Sequence, residues 1–220
     1  EVIKGYKGKW WNGKQIFSDI DSAKKAFNWL NYLIISGITP KSVINFSETE
    51  SLQTFKSGEA AFMRNWPYAW AELQKPDSFV KGNVGVTIMV SETGDESTST
   101  LGSWGFSILK SSKNPKTSME VIRYLTQNKF QRELFLKYGY TPTNKQVIDN
   151  KNLIINNPII KTLSEALTKT SVRPVTPLYA QISDILQREL SSLLTGEIGT
   201  EMAIQNTREK SQYIINSAGK

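Results

Sequence analysis

The sequence predicts an α/β fold, and two observations carry that prediction. Segments with apolar residues spaced three and four positions apart recur along the 220-residue chain and are typical of amphipathic helices. Short apolar runs at residues 60–64, 84–88 and 105–109 lie between these segments and are typical of strands. Because helices that alternate with short strands pack on the faces of a sheet, we expect strands at these three runs with helices flanking them.

The composition limits the classes of function. The chain has no Cys and no His, which excludes thiol nucleophiles, Cys/His zinc sites and His-based general bases. Its 27 Lys and Arg against 20 Asp and Glu give a net charge of +7. The lysines are dispersed, so we expect a solvated basic surface and no nucleic-acid binding. No apolar run reaches the roughly 18 residues that a membrane-spanning helix needs. The lack of Cys fits an exported protein, and a start at Glu1 without a signal peptide indicates a piece of a longer protein.

The first part of the chain predicts a hairpin-like segment followed by two helices. The segment, residues 1–17, turns at an Asn-Gly pair that follows Trp10 and Trp11. We interpret these two tryptophans as packing residues, with a role at a ligand site as the alternative. Residues 19–36 predict the first helix, with an aspartate at its start and Gly37 after its end. A second helix, capped by the Ser-Glu pair at positions 47 and 50, is expected to end near Lys56.

Aromatic residues concentrate where the strand predicted at residues 60–64 ends. The stretch at residues 55–70 reads FKSGEAAFMRNWPYAW, and Pro67 ends the apolar run and suits the first turn of a helix. The bend therefore presents Trp66, Tyr68 and Trp70 at the junction of a strand and a helix. Ligands of open α/β sheets bind at such junctions.

The middle of the chain contains an exposed loop and a second aromatic stretch. Residues 91–103 are rich in Ser, Thr, Gly, Asp and Glu and predict a surface loop. Its three acidic residues lack the spacing of a calcium-binding loop, so we expect no metal there. The stretch GSWGFSIL follows, in which Trp104 lies at the start of a predicted strand between Gly102 and Gly105.

The last part of the chain predicts helices and contains a third distinctive stretch. Helices are expected at residues 115–125, 131–138, 158–167 and 200–215. The stretch SVRPVTPLY contains Arg173 on an extended backbone and leads through Thr176 and Pro177 into a long helix. That helix begins near Tyr179 and ends before Gly196.

Together, the NWPYAW, GSW and RPVTPLY segments resemble family 1 extracellular solute-binding proteins of ABC importers, closest to the trehalose/maltose-binding branch. The resemblance implies a two-lobe periplasmic binding protein fold of type II, of which this chain is the C-terminal half. By analogy, residues 1–91 are the first part of the C-terminal lobe, and residues 92–140 are an interlobe crossing with a returned N-terminal-lobe segment. Residues 141–220 are then the return crossing and the remaining C-terminal-lobe helices.

The resemblance also implies a sugar site between the lobes and no catalysis, metal or cofactor. We predict that six residues bind the ligand: Trp66, Tyr68, Gly102, Trp104, Arg173 and Tyr179. Flat aromatic rings cover the C–H faces of a pyranose, and planar polar groups bind its hydroxyls. The expected partners are a disaccharide or glucoside-type sugar and the membrane permease subunits of an importer. The whole protein is expected to be a monomer in the periplasm or outside the cell, with a lipid anchor possible in the missing N-terminal part.

Two other classes of function compete with this one. A glycoside hydrolase or transglycosylase would use the same aromatic platform with a carboxylate pair, for which Glu59 and Glu72 are the nearest candidates. We interpret Glu59 instead as a residue at a strand edge and Glu72 as one on a solvated helix face. A helical interaction module would bury the aromatic residues in its core. Trehalose, maltose, sucrose and glucosylglycerol share the features that these residues recognise, so the sequence does not choose among them.

Overall fold

The computed structural model describes residues 1–94 and 99–218, and the regular elements in these ranges are helical. The helices are α1 (Val2–Gly5), α2 (Ile20–Ile35), α3 (Glu48–Lys56), α4 (Ala69–Leu73), α5 (Pro115–Leu125), α6 (Asn128–Tyr138), α7 (Lys145–Ile148), α8 (Lys151–Asn156), α9 (Ile159–Thr168), α10 (Tyr179–Thr195) and α11 (Thr200–Ala218). A 3₁₀ helix spans Lys41–Asn45. Two of the acidic residues considered for a calcium loop, Asp95 and Glu96, lie outside the described residues.

The three predicted strands do not form within the described part of the chain. Residues 60–64, 84–88 and 105–109 are outside the helices, as expected, but none has a ladder partner. The backbone pairs as isolated bridges elsewhere, between Trp11 and Ile16 and between Thr100 and Ser171. The strand prediction is therefore wrong for these residues. A strand exists only when a second stretch of backbone runs beside it, and an apolar run in one sequence does not supply that neighbour.

The helix ends follow the local signals in the sequence. The Asp19 side chain accepts a hydrogen bond from the Ser22 backbone N–H at 3.2 Å, which caps α2. The predicted capping box of α3 is present, with the Glu50 carboxylate accepting from the Ser47 backbone N–H at 2.8 Å. Gly139 and Gly196 end α6 and α10 with φ of 74° and 85°, a region that favours glycine.

The hairpin-like prediction for residues 1–17 is confirmed at the turn between Trp10 and Phe17, whereas Val2–Gly5 form the helix α1 instead. The Asn12 side-chain oxygen accepts hydrogen bonds from the backbone N–H groups of Lys14 and Gln15, at 3.0 and 2.9 Å. The Phe17 N–H donates to the Trp10 carbonyl at 2.8 Å and closes the turn. Trp10 and its neighbour Trp11 are partly buried and pack against the adjoining core.

The first of two compact units consists of Glu1–Phe46, Met89–Leu101 and Lys169–Lys220. Helices α2, α10 and α11 pack around one buried cluster: Ile16, Phe17, Ala23, Phe27, Ile182, Leu193, Ala203 and Ile204. The rings of Phe17 and Phe27 meet edge to face with centroids 5.7 Å apart, a favourable geometry for aromatic pairs.

A buried carboxylate joins the last two helices of this unit. Glu189 on α10 is 7% exposed and accepts hydrogen bonds from Asn206 Nδ2, at 2.9 Å, and from Lys210 Nζ, both on α11. Burial by itself would raise the pKa of Glu189. The hydrogen bonds from Lys210 and Asn206, together with the positive charge of Lys210, outweigh the effect of burial, so the pKa of Glu189 is lowered. The ion pair and the bond from Asn206 therefore link the two helices.

The second unit consists of Ser47–Ile88 and Gly102–Thr168 and has two smaller clusters. One is formed by Phe135, Val147, Leu153, Ile159, Ile160 and Leu163, with Trp70 packed against it. The other contains Leu52, Ala69 and Leu73, from α3 and α4. Trp70 of the aromatic stretch therefore packs against a core cluster.

The division into units differs from the predicted lobe boundaries, since residues 92–101 and 102–140 fall in different units and residues 141–220 are divided between them. The lobe assignment concerns the whole protein and stays a prediction. No helix in the described ranges has a stretch long and apolar enough to cross a membrane. Nor do residues 1–94 and 99–218 contain a group of three or more Asp, Glu, His or Cys side chains placed to hold a metal ion.

Candidate functional site

The bend that contains Trp66 is tied to the start of α3. The Asn65 side-chain oxygen accepts a hydrogen bond from the Trp66 backbone N–H at 2.7 Å. The Asn65 amide nitrogen donates to the Glu48 carbonyl at 3.4 Å, and Glu48 is the first residue of α3. Pro67 then leads into α4, which begins at Ala69. The backbone on both sides of Trp66 is thus anchored to regular structure.

Tyr68 makes a second connection to Glu48. Tyr68 is half-buried, and its hydroxyl is hydrogen-bonded to the Glu48 carboxylate. Burial, then this bond and the nearby negative charges, raise the pKa of Tyr68 to about 12. Because a carboxylate can only accept, the Tyr68 hydroxyl donates to Glu48, and its oxygen keeps acceptor capacity for another donor.

The chain after α6 approaches the same bend closely. A Cβ built on Gly139 would lie 3.0 Å from the Tyr68 Cα and 3.1 Å from the Tyr68 carbonyl oxygen. Gly139 has φ of 74°, so both the close approach and the backbone conformation require glycine. This contact gives the bend a further neighbour inside the second unit.

The Trp66 ring contacts two parts of the second unit. The Arg64 guanidinium lies 5.0 Å from the ring centroid, within the range of a cation–π interaction. Gly102 lies against the six-membered ring, and a Cβ built there would be 2.7 Å from the Trp66 Cη2 atom. The ring is half-buried, so part of its surface remains accessible.

Trp104, two residues after Gly102, is almost completely exposed. Its side chain is 95% exposed, and the neighbouring Phe106 is 62% exposed. Trp104 is therefore not a core residue of the described structure, and the interaction-module hypothesis, in which the aromatic residues are simply core, does not apply to it.

Arg173 and Tyr179 belong to the first unit. Arg173 is exposed, next to the buried Pro174. Tyr179 is the first residue of α10, and its ring meets the Trp10 ring edge to face with centroids 6.1 Å apart. The Trp10 indole nitrogen is buried, with no hydrogen-bond partner in the part of the chain that the structure describes. Trp10 thus packs against Tyr179, which is one of the predicted ligand residues.

The structure brings together half of the six predicted residues. Trp66 and Tyr68 share one bend, and Gly102 touches the Trp66 ring. Trp104 has no ring partner among the described residues, and Arg173 and Tyr179 are described with the other unit. That all six bind one ligand stays a prediction.

Sequence reasoning missed the residues that hold the Trp66 bend, namely Glu48 and the Asn65 side chain. The one local signal was the Asn before Trp-Pro, because Asn side chains often bind neighbouring backbone. Nothing near Tyr68 in sequence indicated Glu48.

The two acidic residues considered as glycosidase carboxylates differ in their surroundings. Glu72 on α4 pairs with Lys75 at 2.7 Å, an interaction that raises the pKa of Lys75. Glu59 is exposed, just after the left-handed Gly58. The Glu72 ion pair fits the interpretation of this residue as a helix-surface acid.

Comparison with known proteins gives a consistent family and fold. Residues 1–132 match the model of the family described as "Bacterial extracellular solute-binding protein". A probable ABC transporter-binding protein of Deinococcus radiodurans is 33% identical over 165 residues, which cover 74% of this chain and 39% of that protein.

Two solved structures are similar over nearly the whole chain. The maltose-bound MalE3 of T. maritima has a TM-score of 0.91 and 30% identity, and the match covers 97% of this chain and 56% of that one. A solute-binding protein of Thermotoga lettingae bound to α-D-tagatose has a TM-score of 0.87 and 22% identity, covering 97% and 55%. The likeness confirms the predicted two-lobe periplasmic binding protein fold class. The chain spans about two fifths of the curated relative and just over half of each structure.

Proposed function

We propose that this chain, which belongs to the bacterial extracellular solute-binding protein family, is part of the sugar-binding component of an ABC importer. One observation carries the proposal: an indole that is 95% exposed, at Trp104, lies two residues from the glycine that contacts the anchored Trp66 ring. Aromatic side chains that are accessible and close to a few polar groups are typical of ligand sites.

The chemistry of these groups suits a neutral sugar. The two indole faces cover the C–H faces of pyranose rings, which is favourable for the same reason as burial of other apolar surface. The Tyr68 oxygen accepts from a sugar hydroxyl, because its own proton is donated to Glu48. On the basis of the sequence motif, Arg173 and Tyr179 supply further hydrogen bonds to the ligand, and the exposed Arg173 guanidinium acts only as a donor.

The ligand class we favour is a disaccharide or a glucoside. The maltose-bound relative supports this choice, since it is 30% identical to this chain. The tagatose-bound relative, at 22% identity, supports the fold alone. The preference among trehalose, maltose and other glucosides depends on how the positions of the sugar hydroxyls match the polar groups of the site.

The remaining features of the whole protein follow as proposals. The chain is the C-terminal half, and the protein is a monomer in the periplasm or outside the cell that delivers sugar to permease subunits. The segments 92–103 and 140–144 are the interlobe crossings, which absorb the dihedral change when the lobes close on sugar. Small-angle scattering of the complete protein should show a smaller radius of gyration with sugar than without it. An unchanged value at saturating ligand would count against closure.

Titration of the full-length protein with a panel of sugars tests the proposal. Intrinsic tryptophan fluorescence should change saturably with trehalose, maltose, sucrose or glucosylglycerol, because indole groups contact the ligand. Nitrophenyl glycosides incubated with the same preparation should remain intact. Turnover of these substrates would instead establish a carbohydrate-active enzyme, and a flat titration with every sugar would reject the binding function.

A further inference from the structure

We propose that Gly102 is a positioning residue for Trp66: the lack of a side chain at position 102 sets the place of the Trp66 ring, and thereby the affinity for sugar. This inference rests on the proposed function of the same site. Gly102 and Trp66 are 36 positions apart in the chain and meet inside the second unit.

The distances show that the requirement for glycine comes from the ring. A Cβ at position 102 would lie 2.7 Å from Trp66 Cη2, 3.1 Å from Cζ3 and 3.7 Å from Cζ2. Carbon atoms pack at about 3.5–4.0 Å, so the first two distances are too short for an unshifted structure. The glycines with left-handed φ do not include Gly102, so its backbone conformation admits alanine.

The ring, rather than the backbone, is the part that would move. The three atoms that a Cβ would meet are at the outer end of the indole, whereas the Trp66 backbone is held by Asn65 and the neighbouring Tyr68. Rotation about the side-chain bonds of Trp66 relieves the clash, at the cost of the cation–π contact with Arg64. The substituted protein therefore folds with a displaced ring.

A displaced ring matters because stacking depends on a preformed surface. A platform already oriented for the ligand does not spend binding free energy on its own ordering. The Trp66 backbone N–H is bound by the Asn65 side chain, which itself donates to the Glu48 carbonyl, and its ring is confined by Gly102, so Trp66 is such a platform. Trp104, 95% exposed, is not confined in this way.

The test compares Gly102→Ala with Gly85→Ala in the full-length protein labelled with 5-fluorotryptophan. Gly85 is the matched control, because it is in the same unit, lacks a left-handed φ and has nothing within 4 Å of a built Cβ. Fluorine NMR of the sugar-free protein reports the ring environments, with the Trp66 signal assigned by Trp66→Phe. Calorimetric titration with maltose reports affinity.

We expect Gly102→Ala to shift the Trp66 signal and weaken maltose binding about tenfold, roughly the effect of losing part of a stacking surface. Gly85→Ala should change neither. An unshifted Trp66 signal in Gly102→Ala would overturn the inference. So would a shifted signal with unchanged affinity for maltose.

A double-mutant cycle separates positioning from a general structural effect. A phenyl ring is shorter than an indole, so Gly102→Ala in a Trp66→Phe background should change the affinity less than twofold. An equal loss in both backgrounds would mean that Gly102 acts without Trp66 and would overturn the inference. If the unsubstituted protein bound no sugar of the panel, both the proposed function and the inference about Gly102 would be rejected. If the unsubstituted protein bound sugar but Gly102→Ala had no effect on affinity, only the inference about Gly102 would be rejected.

Discussion

Two pairs of aromatic residues, one pair in each unit, have opposite surroundings. In the first unit, Phe17 and Phe27 are 0% and 2% exposed inside a cluster shared by three helices. In the second unit, Phe62 and Trp104 are 94% and 95% exposed outside the helices. Packed helices cover each other's apolar side chains, but an extended run has no such cover within the described residues. Burial thus indicates a structural role for Phe17 and Phe27, whereas Phe62 and Trp104 are accessible in the described residues.

The largest expected effect is the loss of a buried ring from the first unit. Phe27→Ala should lower the free energy of unfolding by about 3–5 kcal/mol, because it removes a 2% exposed side chain and leaves a cavity beside Phe17. Urea denaturation followed by circular dichroism measures the change. Trp104→Ala is the contrasting variant and should change stability by less than about 0.5 kcal/mol. Equal losses of unfolding free energy in Phe27→Ala and Trp104→Ala would contradict the difference between these two residues.

The next-largest effect is on sugar binding, and here the substitution in the second unit should have the larger effect. Trp104→Ala in the full-length protein should weaken sugar binding by about ten- to a hundredfold, equivalent to about 1–3 kcal/mol for a lost aromatic platform. The thermal midpoint of the sugar-free form should stay nearly unchanged. Trp29→Ala is a matched control, because Trp29 is 44% exposed on α2 of the first unit and outside the predicted site. A Trp104 variant that bound sugar normally but melted much earlier would identify Trp104 as a core residue.

A smaller effect on stability is expected at the carboxylate between α10 and α11. Glu189→Gln should cost about 1–2 kcal/mol near neutral pH, since the charged hydrogen bonds to Lys210 and Asn206 are weakened. The folded state lowers the pKa of Glu189, so its contribution is present above the ordinary value of 4.5 and is lost as the pH falls through the lower pKa of the folded state.

The difference in stability between wild type and Glu189→Gln should therefore shrink in acid, which urea titrations at a series of pH values would detect. The comparison variant is Asp184→Asn, which removes an exposed ion pair with Arg188 on the same helix. Its effect should stay below about 0.5 kcal/mol. A Glu189 variant as stable as wild type at neutral pH would show that the buried pair contributes nothing net.

The smallest expected effect is spectroscopic and concerns the anchored bend of the second unit. One of the eight tyrosines should ionise near pH 12, because burial and the Glu48 carboxylate raise the pKa of Tyr68 to about 12 from 10.0. The neutral form is favoured by folding, so this contribution to stability is complete below pH 10 and is lost between about pH 10 and 12.

Ultraviolet absorbance of the phenolate follows this ionisation. Tyr68→Phe should remove the transition near pH 12, and Glu48→Gln should move it towards lower pH. A titration curve that is the same in Tyr68→Phe and in the unsubstituted protein would mean that the hydrogen bond to Glu48 does not hold in solution.

The sequence by itself determined the longer helices and the family. Asp19, the Ser47–Glu50 box, Gly139 and Gly196 mark helix ends because helical hydrogen bonds and caps join residues at most a few positions apart. The aromatic motifs likewise indicate a solute-binding protein, since they are contiguous in the chain.

Only the tertiary structure decided which aromatic residues pack and which stay accessible. Trp70 packs against a core cluster while Trp104 is exposed, although each of them belongs to an aromatic stretch of the sequence. The contact of Gly102 with Trp66 and the bond of Tyr68 to Glu48 join residues 36 and 20 positions apart. The predicted strands failed for the same physical reason: strand pairing and side-chain burial depend on which distant segments meet, and spacing along a single stretch does not specify that.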